Sequence, residues 1–147
     1  MSVVVWDGKT LAADKQMSNG NLRRTGRKIW KHKDTLIGGT GNAVPIQALL
    51  NWYMGGCVVA DFPEMCKSED MSASLIVVTR DGIVRRFENG PYPIEYEDPL
   101  YADGSGRDFA YGAMKMGADA RQAVEVACEF DVHCGRGVDS ETFDEVK

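Results

Sequence analysis

Two short apolar runs, Val3–Trp6 and Thr10–Asp14, flank an Asp7-Gly8 pair almost at the start of the chain. Asp-Gly between apolar runs is a strong short-range hairpin signal. A hairpin that begins directly after Met1-Ser2 commits the chain to antiparallel sheet and fixes its second residue, a serine, at the head of a strand. Two further hairpins read from the same pattern. Arg27–Lys31 and Thr35–Gly38 flank His32-Lys33-Asp34, and Leu75–Thr79 and Ile83–Glu88 flank Arg80-Asp81-Gly82.

Helical spacing fills the gaps between these pairs. Ile46, Leu49, Leu50 and Tyr53 fall at i, i+3, i+4 and i+7, with Asn42 placed to cap the start and Gly55 to end the helix. Phe109, Ala110, Ala113 and Met114 form a second stripe after Ser105. Ala120, Ala123, Val124, Ala127 and Cys128 form a third, headed by Asp119 with Gln122 three residues on, a capping-box pattern. Pro63–Cys66 reads as one short turn of helix, and the three prolines of Gly90–Tyr101 favour an extended connection. Strand pairs alternating with helices predict an α+β domain, antiparallel sheet covered by helices, with topology left open. At 147 residues, 44% of them hydrophobic, the chain suffices for one domain, residues 1–147. A chain of this size buries roughly 70% of its unfolded surface.

The formal charge of −5 argues against nucleic acid or an anionic membrane as main partner, since both require a basic face. The longest apolar run, Leu75–Val78, is far too short to cross a bilayer, and no export signal opens the sequence, so a cytoplasmic location is expected. On that expectation Cys57, Cys66, Cys128 and Cys134 are reduced thiols. Cys128-x4-His133-Cys134 has the composition of a metal site, but no paired C-x-x-C knuckle accompanies it, and no metal is expected. Gly38-Gly39-Thr40-Gly41 is followed by Asn42-Ala43 rather than the Gly-Lys-Ser/Thr of a phosphate loop, so no nucleotide or other cofactor is expected either.

Ser2 carries the chemistry that remains. Removal of Met1 leaves a residue with both a hydroxyl and an α-amine, whose unperturbed pKa near 8 lets it take the hydroxyl proton at neutral pH. A retained Met1 makes that nitrogen an amide with no useful basicity. Taken singly, every candidate has a plainer reading: Ser2 permits Met removal, Asp14 ends a strand, Lys28 is a solvated cation, Gly39 a bend and Ser105 a helix cap.

The ordered set Ser2-Val-Val-Val, Leu11-Ala12-Ala13-Asp14-Lys15, Gly26-Arg27-Lys28-Ile29 and Ile37-Gly38-Gly39 before a helix resembles the N-terminal half of a proteasome β subunit. Ser74–Gly82, Gly104-Ser105-Gly106 before a helix, and Asp131-x-x-Cys134-Gly135 follow in the order seen in that family and its bacterial relative HslV. The resemblance spans nearly the whole chain. It implies an N-terminal nucleophile (Ntn) hydrolase fold, an αββα sandwich of antiparallel sheets between helical layers. It also places Ser2 where the family has its nucleophile, Asp14 and Lys28 where an acid orients a lysine beside it, and Gly39 where a backbone N–H faces the oxyanion. Ser105, Asp131 and Cys134 match residues that hold the terminal amine. Thr10, Met17, Gly20, Arg27 and Gly39–Gly41 fall along the implied substrate groove. The chain departs from the pattern in carrying Ser for Thr at the nucleophile, Cys134 for a hydroxyl residue, and only a short, Pro-containing segment from Gly56 to Ser72 where the family has its long second helix.

The resemblance implies a peptidase acting on peptide or unfolded-protein substrates, homo-oligomeric rings, and an ATP-dependent unfoldase as partner. A catalytically inactive structural or regulatory subunit is the alternative, and a small-molecule amidohydrolase a third reading.

Overall fold

The computed structural model describes residues 2–70 and 72–144. Eleven strands and three α-helices follow one another among these residues: β1 (Val4–Trp6), β2 (Thr10–Asp14), β3 (Gln16–Asn19), β4 (Leu22–Thr25), β5 (Ile29–His32), β6 (Thr35–Gly41), α1 (Ala43–Met54), β7 (Ala73–Thr79), β8 (Val84–Phe87), β9 (Ile94–Tyr96), β10 (Tyr101–Asp103), α2 (Arg107–Lys115), α3 (Ala120–Phe130) and β11 (Val138–Thr142). All strand pairs are antiparallel. One sheet runs β10-β1-β2-β11, the other β5-β6-β7-β8-β9, and β3-β4 is a separate two-stranded hairpin.

Each sheet buries both faces, which is why its central strands read as unbroken apolar runs rather than alternating ones. Val3, Val5 and Ala12 pack with Ala110, Met114, Ala123, Val124 and Ala127 under α2 and α3. Val4, Trp6, Leu11 and Ala13 point the other way, onto Leu36, Ile76, Val78 and Val84 of the second sheet. The opposite side chains of that sheet, Ile37, Leu75 and Val77, meet Ile46, Leu49, Leu50 and Trp52 of α1. The order is helix pair, sheet, sheet, helix: the expected αββα sandwich. Two adjacent glycines thin it where the site lies. A Cβ on Gly38 would stand 2.6 Å from Val4 Cγ1, and one on Gly39 2.5 Å from Ile46 Cγ2, so their absence lets the second sheet close on β1 and α1 close on the sheet.

Between Gly56 and Ser72 no long helix forms among the described residues, as the short, Pro-containing segment led us to expect. Two 3-10 turns, Val59–Asp61 and Glu64–Lys67, take its place, and Trp52 covers the gap by packing edge-on against Phe62 and Phe87 at 5.0 and 5.3 Å between centroids. Several expectations shift locally. The first helix starts after Asn42, but the Asn42 side chain makes no capping bond. In α2 the cap position falls on Gly106 rather than Ser105, and Phe109 lies on the exposed side while Ala110 and Met114 are buried. The Asp119–Gln122 capping box of α3 is formed. Among the described residues no helix is long and apolar enough to cross a membrane, and no three His, Cys, Asp or Glu side chains converge as a metal site.

Candidate active site

The opening hairpin returns Asp14 to the start of β1. There its carboxylate, fully buried, receives four donors: Oδ1 accepts from the Val3 N–H at 3.1 Å and from Lys28 Nζ at 2.8 Å, while Oδ2 accepts from the N–H groups of Gln16 at 3.2 Å and Gly135 at 3.1 Å. A buried charge is tolerated when it is paired and its remaining lone pairs are satisfied, and both conditions hold. The lysine ammonium and the main chain leaving Ser2 thus share one oxygen atom.

Ser2 is held from the opposite side. Its carbonyl accepts from the Gly106 N–H at 3.1 Å and from Ser105 Oγ at 3.4 Å. Gly104 lies so close beneath it that a Cβ there would stand 2.1 Å from the Ser2 oxygen, and its φ of +99° is one that glycine adopts without strain. Behind this turn, Asp131 accepts from the His133 N–H at 2.9 Å and from Cys134 Sγ at 3.5 Å. Burial works against its ionisation, but these bonds and the nearby Ser105 hydroxyl outweigh it and hold the carboxyl below its usual range. Burial first, then the charges of Asp14 and Asp131, push the Cys134 thiol well up, so at neutral pH it is a protonated donor and not a thiolate. The Cys128 thiol is pushed up to about 11 by burial and by the Asp14 carboxylate. Ser2, Asp14, Lys28, Ser105, Asp131 and Cys134, far apart in sequence, therefore form one connected group.

The Gly39 N–H, expected to face an oxyanion, lies within the strand ladder. It donates to the Lys28 carbonyl at 2.9 Å, continuing the β5-β6 ladder, so it is already engaged. Backbone groups alternate sides along an antiparallel strand, so the next N–H directed that way belongs to Gly41. By register Gly41 comes opposite Gly26, where the chain has turned aside to pair with Lys15, and a pocket opens instead. Gly41 is confined to glycine: φ is +107°, and a Cβ would stand 2.4 Å from the Ser72 carbonyl oxygen. Strand alternation and register, invisible without the ladder, separate the two glycines.

The pocket holds about 120 Å³ and is bounded by Ser2, Lys28, Gly41, Trp30, Ile46 and Arg27. That is on the scale of the ~150 Å³ cavity that accommodates benzene, room for one amino-acid side chain. Met17 and Ser18 of the β3-β4 hairpin form its outer wall. Arg27 is oriented by a 2.7 Å bond from Nε to the Ile29 carbonyl. Of the expected groove residues, Met17, Arg27 and Gly41 are present. Thr10 lies at the far end of β2, bonded to Asp7, and Gly20 at the exposed tip of the β3-β4 hairpin. Gln16 and Gly135, which complete the shell around Asp14, were not singled out from the sequence, although Gly135 ends the Asp131-x-x-Cys134-Gly135 motif.

The sequence matches no protein-family model and no curated protein. Among solved structures, "Thiobacillus denitrificans BPH in complex with Epoxomicin" superposes with a TM-score of 0.71 at 21% identity, over 99% of this chain and 100% of that one. HslV from Trypanosoma brucei superposes with a TM-score of 0.66 at 23% identity, over 98% and 99% of the two chains. An Anbu Gly-1 mutant from Hyphomicrobium sp. strain MC1 gives 0.71 at 11% identity, over 98% and 82%. At these identities the likeness is one of fold, and the chain has the HslV-like, proteasome-type fold that its ordered motifs led us to expect.

Proposed function

We propose that this protein is an N-terminal nucleophile peptidase acting through Ser2. With Met1 removed, the Ser2 α-amine takes the proton of Oγ, and Oγ attacks the carbonyl carbon of a peptide. The resulting oxyanion is met by the Gly41 N–H, in place of the Gly39 N–H expected from sequence. A fixed backbone donor at that position is worth roughly 3–4 kcal/mol in the transition state. Collapse passes the proton to the leaving amine and leaves an ester on Ser2, and water, activated by the same amine, hydrolyses it. The Lys28 ammonium favours the neutral amine and the developing negative charge, and Asp14 fixes it in place. Ser105, Asp131 and Cys134 hold the head of the chain from the other side.

The observation that carries this reading is the sharing of Asp14 Oδ1 between Lys28 Nζ and the Val3 N–H, at the wall of a pocket that Ser2 itself lines. The proposal extends to peptide or unfolded-protein substrates, ring assembly from identical subunits, and feeding by an ATP-dependent unfoldase. The decisive experiment measures hydrolysis of fluorogenic peptides by the wild type and Ser2→Ala, alongside intact mass. Loss of one Met and a fall of at least a thousand-fold in kcat for Ser2→Ala, on the scale of nucleophile removal in other hydrolases, are expected. Retained Met1, or equal rates in the two proteins, transfers the assignment to an inactive structural subunit.

A further inference from the structure

The group around Asp14 explains how Ser2 and Lys28 are held, but not how Ser2 is kept at a fixed distance from Gly41. Ser2 precedes β1 of the first sheet and Gly41 ends β6 of the second, so only a link between the sheets can set that gap. The inter-sheet core is apolar and non-directional. Besides the Lys28–Asp14 pair, a second polar link crosses it beside the pocket.

Asp103 ends β10. Its Oδ1 accepts from the N–H of Gly104 at 2.9 Å, the glycine pressed against the Ser2 carbonyl. Its Oδ2 accepts from Thr40 Oγ1 at 3.1 Å, and Thr40 is buried and directly precedes Gly41. The same Oδ2 accepts from Arg86 Nε of β8 at 3.3 Å, which balances the carboxylate charge, and Arg86 is steadied in turn by Glu88 at 3.0 Å. One side chain therefore has one oxygen on the turn that packs against the Ser2 carbonyl and the other on the residue before the proposed oxyanion donor. Charge-assisted bonds of this kind are stronger than neutral ones, and the Asp103 side chain, only 13% exposed, is paired as well as hydrogen-bonded.

We propose that Asp103 is a positioning residue, a cross-sheet brace that sets the distance between Ser2 and the Gly41 N–H through Gly104 on one arm and Thr40 on the other. The proposal rests on the peptidase reading above, because it assigns Asp103 no contact with substrate. Its prediction is a loss in kcat rather than in substrate binding, since the pocket walls Trp30, Ile46 and Met17 lie outside the brace.

The test compares kcat and KM for fluorogenic peptide hydrolysis in the wild type, Thr40→Val, Thr40→Ser and Asp103→Asn, with the folded fraction followed by circular dichroism. Thr40→Val keeps the shape of the side chain and removes only the donor, so it decides the matter even if Asp103→Asn fails to fold. A displacement of about 1 Å at a reacting centre costs on the order of a hundred-fold in rate, so kcat is expected to fall roughly ten- to a hundred-fold in Thr40→Val with KM within about two-fold, and Thr40→Ser to restore it. Wild-type kcat in Thr40→Val, a loss matched by the loss of folded protein, or no recovery in Thr40→Ser overturns the brace while leaving the peptidase standing. Absence of hydrolysis by the wild type itself overturns both.

Discussion

The two helical layers of the sandwich are built to different standards, and the site depends on the fuller one. On the first sheet, α2 and α3 pack as a pair, α3 starts with a closed capping box, and the ends of both helices hold the head of the chain: the Gly104–Gly106 turn before α2 and the Asp131–Gly135 turn after α3. On the second sheet α1 stands beside two short 3-10 turns, and Val58, Val59 and Met65 are left exposed. That layer contributes to the pocket only Asn42, Ala43, Ile46 and Gln47 at the start of α1. The thin layer leaves the residues around Ser2 undisturbed, because the bonds that hold Ser2 run to the other layer and to β2.

The contrast is sharpest at Lys28 and Trp52. Lys28→Met leaves Asp14 buried without its counter-ion, and removing one partner of a buried pair costs about 3–5 kcal/mol. Urea unfolding is expected to show that loss together with abolished hydrolysis, and a change below 1 kcal/mol would mean that the anchoring around Asp14 is not what holds this side. Trp52→Ala removes the aromatic that seals the thinner layer, at about 3 kcal/mol, the low end for such truncations because the 3-10 turns have room to collapse. Here kcat per folded molecule is expected to stay at the wild-type value, and a large fall in kcat at full folding would erase the distinction between the layers.

A smaller effect concerns acid. The Asp131 carboxyl is held below its ordinary value in the folded chain, so its contribution to stability is fully present above about pH 4, its unfolded range, and is lost as pH falls through the lower folded value. Asp131→Asn should flatten that part of the stability profile between neutral pH and pH 3, measured by thermal unfolding. The smallest effect is chemical. Cys57 is shifted up by burial alone, whereas Cys128 is shifted to about 11 by burial and by the charge of Asp14. Brief alkylation at pH 8.5, mapped by peptide mass, should modify Cys57 before Cys128, and the reverse order would place Cys128 outside the field of that carboxylate.

The three hairpins were legible because each pairs apolar runs around a turn. The β3-β4 hairpin was not, because Gln16–Asn19 and Leu22–Thr25 are largely polar and exposed and carry no period that a core imposes. Strand β11, Val138–Thr142, escaped for a related reason: it is a polar strand at a sheet edge, identified only by its pairing with β2. Ser2, Asp14, Lys28, Ser105, Asp131 and Cys134, expected from their ordered motifs, lie near one another in the fold. The pairing of the Gly39 N–H with the Lys28 carbonyl could not be read, because the direction of a backbone N–H depends on strand register, which the residue types do not encode. The pairing of Asp103 with Thr40 could not be read, since a bond between residues 63 apart in the chain leaves no sequence pattern.

By itself the sequence determined the layered class of the fold, its principal hairpins and the short segment between Gly56 and Ser72. Those features follow from local periodicity, turn chemistry and the order of motifs. The tertiary structure decided which side of each strand faces which layer, which glycine N–H looks into the pocket, and which carboxylate joins the two sheets beside it. In a strand buried on both faces, apolar side chains read alike in either direction, and only the packing of one sheet against the other tells them apart.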